Sequence, residues 1–199
     1  WLAYQTAYLK ANYPAEFMAS LLTRRSYEAK EVKKLLEECK QMGINILPPS
    51  VNTSGDSFTP DKDSNIHFGL CAIGGIGQNV VDEIVRKRNS GNQYKDIFDF
   101  AQRVNRNVCN KRVFERLALC GAFDCFGHPR EQYLGTTSKG KSSIDLIFEF
   151  AQSDNGLSLF PLDPPELPMA KEIPLMEKRA KECELMGISF IPHPIIVMW

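Results

Sequence analysis

The chain has 199 residues, 43% of them hydrophobic, which suits one domain or two small ones with a real core. Lysine plus arginine equal aspartate plus glutamate, 24 against 24, so the average charge argues against a strongly nucleic-acid-binding protein. The apolar runs are short and interrupted by charge, leaving no candidate for a membrane span and no membrane among the expected partners.

From the N-terminus, residues 2 to 12 place tyrosine and leucine at helical spacing. WLAYQTAYLK reads as the interior of a helix, so the chain is expected to be cut from something longer. Pro14 suits the first turn of a second helix, PAEFMASLLTRR. The aromatic stripe of Tyr4, Tyr8 and Phe17 is expected in the core. A third helix is predicted over 28–42, with Val32, Leu35, Leu36 and Cys39 on one face and Gly43 at its end. Residues 44–47 read as a short strand stopped by Pro48 and Pro49, and 56–59 with 65–68 as two more around the turn PDKDSN. The acidic residues of that turn need no calcium.

The stretch FGLCAIGGIGQNVVDEIVRKR, residues 68–88, has the grammar of a helix-hairpin-helix. Apolar positions flank a bend, Gly74-Gly75-Ile76-Gly77, and a basic helix follows. Glycines there permit positive φ and close approach of another backbone. Ile76 would plug the gap between the helices. The amides at the start of the helix opened by Gln78 can be donated to an anion, and with Arg86, Lys87 and Arg88 nearby a nucleic-acid phosphate is the natural one. Residues 66–120 hold nine basic side chains against five acidic ones, an asymmetry that the overall balance hides.

That helix is predicted to stop near Asn89-Ser90-Gly91. Asp96 then caps a short helix through Val104, and Asn107 or Asn110 caps another through Leu119. Together these form a degenerate second hairpin unit, needed because one hairpin alone has too little core. Asn110, Lys111 and Arg112 lie at its helix start, where they either touch a second phosphate or form a solvated helix end. Residues 126–143 read as loop, and a helix over 142–152 turns Ile144, Ile147, Phe148 and Ala151 inward. DNGLSLFPLDPPELP, 154–168, is proline-rich; its apolar residues are either tucked onto the domain or meant for a partner. A last helix, 174–186, stops at Gly187, and His193 reads as structural.

Six cysteines at 39, 71, 109, 120, 125 and 183 form no CxxC pair and read as reduced thiols of a cytosolic protein. Cys120, Cys125 and His128 match no common zinc spacing, so no metal site is expected. The overall expectation is a mainly α fold, a helical fragment with a tandem helix-hairpin-helix and a few short β-strands.

Taken together these stretches resemble the alpha subunit of bacterial DNA polymerase III, the C-family replicative polymerase. AYQTAYLKANYPAEFMASLL looks like its late fingers, and EECKQMGINILPPSVNTSGDSFT like the approach to its duplex-binding module. IHFGLCAIGGIGQNVVDEIVRKR and VCNKRVFERLALCGAFD are similar to the two hairpins of that module, and LMGISFIPHPI to the sequence before the family's OB-fold. The resemblance implies fingers and connecting strands over 1–65, a duplex-binding tandem hairpin over 66–125, a helix plus clamp-binding linker over 126–170, and a helix leading to an absent OB-fold over 171–199.

It also implies a cytoplasmic replication protein whose partners are duplex DNA, the sliding clamp and the rest of the polymerase chain and holoenzyme. DNA would be gripped by Gly74, Gly75, Ile76, Gly77, Gln78, Arg86, Arg88, Asn110, Lys111 and Arg112. The family often has lysine where this chain has Gly74, so binding is expected to be weaker and salt-sensitive. Gly156, Leu157, Ser158, Leu159 and Phe160 match four of five positions of the family's clamp-binding peptide, with Gly156 where glutamine is usual. The catalytic carboxylates and their Mg belong to the palm, which no stretch here resembles; no catalytic residue, metal or cofactor is expected in this fragment. The rival readings are a repair glycosylase or ligase that uses the same hairpin, and an interaction scaffold that has lost DNA.

Overall fold

The computed structural model describes residues 1–26, 28–137, 140–153, 163–168 and 172–192. It is mainly helical. Helix α1 (Leu2–Asn12) and α2 (Pro14–Arg24) meet at Tyr13, which proline at the first position of α2 keeps out of helical geometry. Helix α3 (Ala29–Gln41) follows, ending before Gly43 at φ +75°. Three two-residue strands then form one small sheet: β1 (Ile46–Leu47) pairs in parallel with β3 (Ile66–His67), which pairs antiparallel with β2 (Thr59–Pro60). The turn between β2 and β3 is organised by Asp61, whose carboxylate accepts the N–H groups of Asp63 and Asn65.

A 3-10 turn at Leu70–Ala72 leads to α4 (Gln78–Gly91). Helix α5 (Ile97–Arg103) starts at Asp96, whose side chain accepts from the amides of Phe98 and Asp99, as its sequence position foretold. Helix α6 (Lys111–Leu119) is capped by Asn110, which settles the choice between Asn107 and Asn110. A 3-10 turn at Asp124–Phe126 leads to a short helix, α7 (Arg130–Leu134), within the region 126–143 read as loop. Helices α8 (Ser143–Ser153) and α9 (Leu175–Met186) complete the chain, α9 ending at Gly187 with φ +76°. His193 and the segment 154–160 lie outside the described residues.

One continuous core runs from Ala15 to Met186. Its centre is aromatic: Phe100, Phe114 and Phe123 meet at ring separations of 5.2–5.7 Å, with Phe148 and Tyr133 at the edges. Leu167, in the proline-rich stretch, packs against this core, whereas Asp163 and Glu166 face water. The aromatic stripe of the first two helices departs from expectation. Tyr4 and Tyr8 are 70% and 51% exposed, and only Phe17 is partly buried against the core. Helix α1 lies on α2, and its outer face is left open. Among the described residues no helix is long and apolar enough to cross a membrane.

The segment after α9 is held back onto the body by a buried carboxylate. Glu182, wholly buried, pairs with Arg130 at 2.6 Å and accepts from the Ser189 hydroxyl at 2.5 Å and the Phe190 N–H at 2.9 Å. Arg130 also pairs with Asp124 at 2.6 Å. Phe190 then stands edge-on to Phe68 at 5.9 Å, immediately before the first hairpin.

Candidate nucleic-acid interface

The two hairpins share one geometry in different sequence. In the first, the arm before the bend is reduced to the 3-10 turn Leu70–Ala72, tied down where the N–H groups of Leu70 and Cys71 donate to the carbonyls of Gly55 and Asp56. Ile76 is buried, plugging the gap as its position between glycines suggested. In the second, Cys109 is buried at the place that Ile76 takes in the first, each preceding its N-cap, Asn110 or Gly77. Val80, Val81 and Ile84 of α4 and Val113, Phe114 and Leu117 of α6 are then buried at matching offsets.

Around the first bend, Gly74, Gly75, Gly77, Gln78 and Asn79 are exposed. Their amides divide into two groups. Gly74 donates to the carbonyl of Leu185, on α9, at 2.7 Å, and Ile76 donates to Ile73 at 3.0 Å. These two are not free for a ligand. The N–H groups of Gly75, Gly77, Gln78 and Asn79 have no hydrogen-bond acceptor among the described residues. The last three open α4, so unpaired donors and the positive end of the helix dipole coincide.

These donors face an open groove of about 450 Å³, lined by Gly77, Gln78, Asn79 and Val80 from the first hairpin and by Asn107 and Val108 from the second. Gly77 has φ −88°, and a Cβ there would meet nothing within 4 Å. Its lack of a side chain therefore serves neither strain nor internal packing, and it keeps the approach to the groove clear. Gly75 is the opposite case. Its φ is +78°, and a Cβ would fall 1.1 Å from Nη1 of Arg116, on α6.

The cations of the segment are mostly committed within the molecule. Arg88 donates to the carbonyls of Val51 and Ser54, and burial pulls its pKa down. Arg88 thus braces the loop between β1 and β2 and is not among the residues lining the groove. Arg86 pairs with Glu83, although its own side chain is 67% exposed. Lys111 pairs with Asp145, on α8, at 2.9 Å. Arg103 bonds the carbonyl of Asn92 and lies over the ring of Tyr94. Arg106 stacks on Phe148 at 4.5 Å, with Nη1 buried and lacking an acceptor. Arg112 is exposed beside the N-cap of α6 and forms no hydrogen bond among the described residues.

Gln78 contributes its backbone N–H, while its side-chain amide bonds Asp82 at 2.8 Å. Asn110 uses its Oδ1 on the N–H of Val113, leaving the amides of Lys111 and Arg112 at the helix start unpaired. Among the residues at the groove and the first bend, Asn107 reads from sequence only as a possible cap, Arg116 only as one of nine basic residues, and Asn79 is not singled out. A helical count from each N-cap would have found Asn79; Asn107 and Arg116 join the first bend only through the packing of one hairpin on the other.

Gly156 to Phe160 lie outside the described residues. No group of three or more His, Cys, Asp or Glu side chains that could hold a metal ion occurs among the described residues.

The family model described as helix-hairpin-helix motif matches residues 43–133. The chain is 34% identical over 202 residues to the DNA polymerase III subunit alpha of Vibrio cholerae, covering 98% of this chain and 17% of that protein. It is likewise 34% identical over 209 residues to that of Mycobacterium tuberculosis, with the same coverage. Against that of Escherichia coli it is 36% identical over 144 residues, 72% of this chain and 12% of the other. The chain thus spans at most 17% of the length of these curated relatives.

Proposed function

This chain belongs to the DNA polymerase III alpha-subunit family, and from that premise we propose that its paired hairpins hold the sugar-phosphate backbone of duplex DNA for a replicative, DNA-directed DNA polymerase. The observation that carries this reading is the row of amides of Gly77, Gln78 and Asn79, unpaired among the described residues, on an exposed, glycine-rich bend. Backbone N–H groups at a helix start bind a phosphate without reading base sequence. That is what a polymerase requires, since it must hold every sequence it copies. The second helix start, with Asn110, the amides of Lys111 and Arg112 and the exposed Arg112 guanidinium, is suited to a second phosphate.

The test is a titration of labelled duplex against the chain and against Gly77→Val at two salt concentrations. Valine fits Gly77's φ and open surroundings, so the fold is kept while its methyls fill the approach to the amides. Loss of a charge-assisted contact should weaken binding on the order of tenfold. Equal binding by both proteins would remove the hairpin from the interface.

The nucleotidyl transfer itself, with its metal ions, is assigned to parts of the polymerase outside this stretch. The linker peptide Gly156-Leu157-Ser158-Leu159-Phe160 is assigned to the sliding clamp, with Leu157, Leu159 and Phe160 as apolar anchors. Tethering there would raise the effective concentration of the hairpins at the primer end. Capture of the clamp by the unaltered chain but not by the Leu159→Ala/Phe160→Ala variant is the expected outcome, and indifference to the change ends the tether reading.

A further inference from the structure

The first hairpin has no cation of its own at its bend: Gly74, Gly75, Ile76, Gly77 and Gln78 are all uncharged. Yet a cation is there. Arg116, on the second hairpin's α6, extends across and places its guanidinium where the side chain of residue 75 would otherwise stand. A Cβ on Gly75 would lie 1.1 Å from Nη1, 2.2 Å from Cζ and 2.9 Å from Nη2. Nη1 donates to the carbonyl of Gly74 at 2.5 Å, and that is the one hydrogen bond the side chain makes among the described residues.

Three features together set Arg116 apart among the arginines of residues 66–120. It forms no ion pair with any carboxylate among the described residues, unlike Arg86 and Arg103, and of the others without one Arg88 is turned to the carbonyls of Val51 and Ser54 and Arg106 to the ring of Phe148, while Arg112 stands at the other helix start. It has five N–H donors and, among the described residues, one acceptor, so Nε and Nη2 retain donors without a partner there. And it lies against an exposed bend whose next residues carry unpaired amides.

We infer that Arg116 is a phosphate-binding residue of the first hairpin, supplied by the second, so that the two hairpins complete a single site for a phosphodiester of duplex DNA. The inference rests on the duplex-binding reading and deepens it. The bond to Gly74 fixes the guanidinium plane, leaving its outer edge to form charge-assisted hydrogen bonds with phosphate oxygens beside the Gly77–Asn79 amides. It also gives Gly75 a purpose beyond its positive φ, because any side chain there would displace the guanidinium.

The experiment measures duplex affinity between 50 and 200 mM salt for the unaltered chain, Arg116→Gln and Arg116→Lys. Loss of one phosphate contact should lower the slope of log affinity against log salt by about 0.9, and weaken binding at 50 mM on the order of tenfold. Arg116→Lys, which keeps the charge, should keep most of the slope. An Arg116→Gln variant that binds with unaltered slope overturns the inference while leaving the duplex-binding reading in place. Absence of salt-dependent binding by the unaltered chain defeats both. A second measurement is read on the unaltered protein: the Arg116 Nε–Hε resonance, assigned by its absence from the Arg116→Lys spectrum, should shift on adding duplex and return at high salt. A resonance that stays put through a saturating titration overturns the inference equally.

Discussion

Glu83 and Arg116 occupy the same place in their respective helices, each the sixth residue after its N-cap, and each reaches across to the bend of the other hairpin. Glu83 accepts the N–H of Asn105 at 3.1 Å, and Arg116 donates to the carbonyl of Gly74 at 2.5 Å. The two charges are opposite, matching the polarity of the backbone group each one meets. The hairpins are therefore joined twice by related contacts, and the relative position of their helix starts is fixed by side chains as well as by the shared core.

Glu83 makes this joint sensitive to acid. Burial pushes its carboxyl up, but the Arg86 guanidinium and the Asn105 N–H outweigh this and hold it below its ordinary value of 4.5. A depressed carboxylate contributes stability above its unfolded value and loses it as pH falls through the lower, folded one. The melting temperature should accordingly fall below about pH 4.5, and Glu83→Gln should show a shallower fall over that window. Thermal unfolding from pH 6 to pH 3 compares the two. Parallel curves would show that the carboxylate's charge contributes nothing to the joint.

The two glycines flanking Ile76 should respond to substitution in opposite ways. Gly75→Ala requires a positive φ and evicts the Arg116 guanidinium, at a cost of about 1–3 kcal/mol. Gly77→Val alters only an N-cap in open space, at about 1 kcal/mol or less. Denaturant midpoints at constant m-value would read the difference, and equal losses would contradict the geometry of the bend.

Arg88 and Arg112, both anticipated from sequence as candidate DNA-contacting cations, should separate cleanly. Arg88→Gln removes donors from the carbonyls of Val51 and Ser54 and should cost about 1–3 kcal/mol of stability with little change in the salt slope of duplex binding. Arg112→Gln should leave the melting temperature within a degree or two, because its side chain is exposed and unbonded among the described residues, and lower the salt slope by about 0.9. Measuring both quantities on both variants is decisive: a reversed pattern would place the interface on the other side of α4.

Removing Arg130 should loosen the segment that follows α9, residues 187–192. Arg130→Ala leaves Glu182 buried without its ion-pair partner, a change worth about 3–5 kcal/mol. The double variant Arg130→Met/Glu182→Leu removes both charges and should recover much of that loss. Hydrogen exchange at Phe190, whose N–H donates to Glu182, would rise sharply in the single variant. Unchanged exchange there would mean that the segment does not depend on the Arg130–Glu182 pair.

The sequence by itself determined the elements whose causes are local. Asp96 read as a cap, and Asn107 or Asn110 as another, because a carboxylate or amide oxygen reaches amides two or three residues on; the structure chose Asn110. Gly43 and Gly187 read as stops because each helix end needs a left-handed residue. The hairpin was legible through Ile76 between glycines, and α8 through its inward stripe. Only the tertiary structure decided which donors remain free. The partners that occupy Gly74, Arg88 and Lys111, namely Leu185, Val51 with Ser54, and Asp145, are distant in sequence. Arg116 reaches the first bend in the same way. Tyr4 and Tyr8 have a core-like pattern but face outward, because periodicity shows that a helix has an apolar side and not what packs on it. Hydrogen bonding within a turn is set by neighbours along the chain; whether a charge or a ring is free depends on what folding brings beside it.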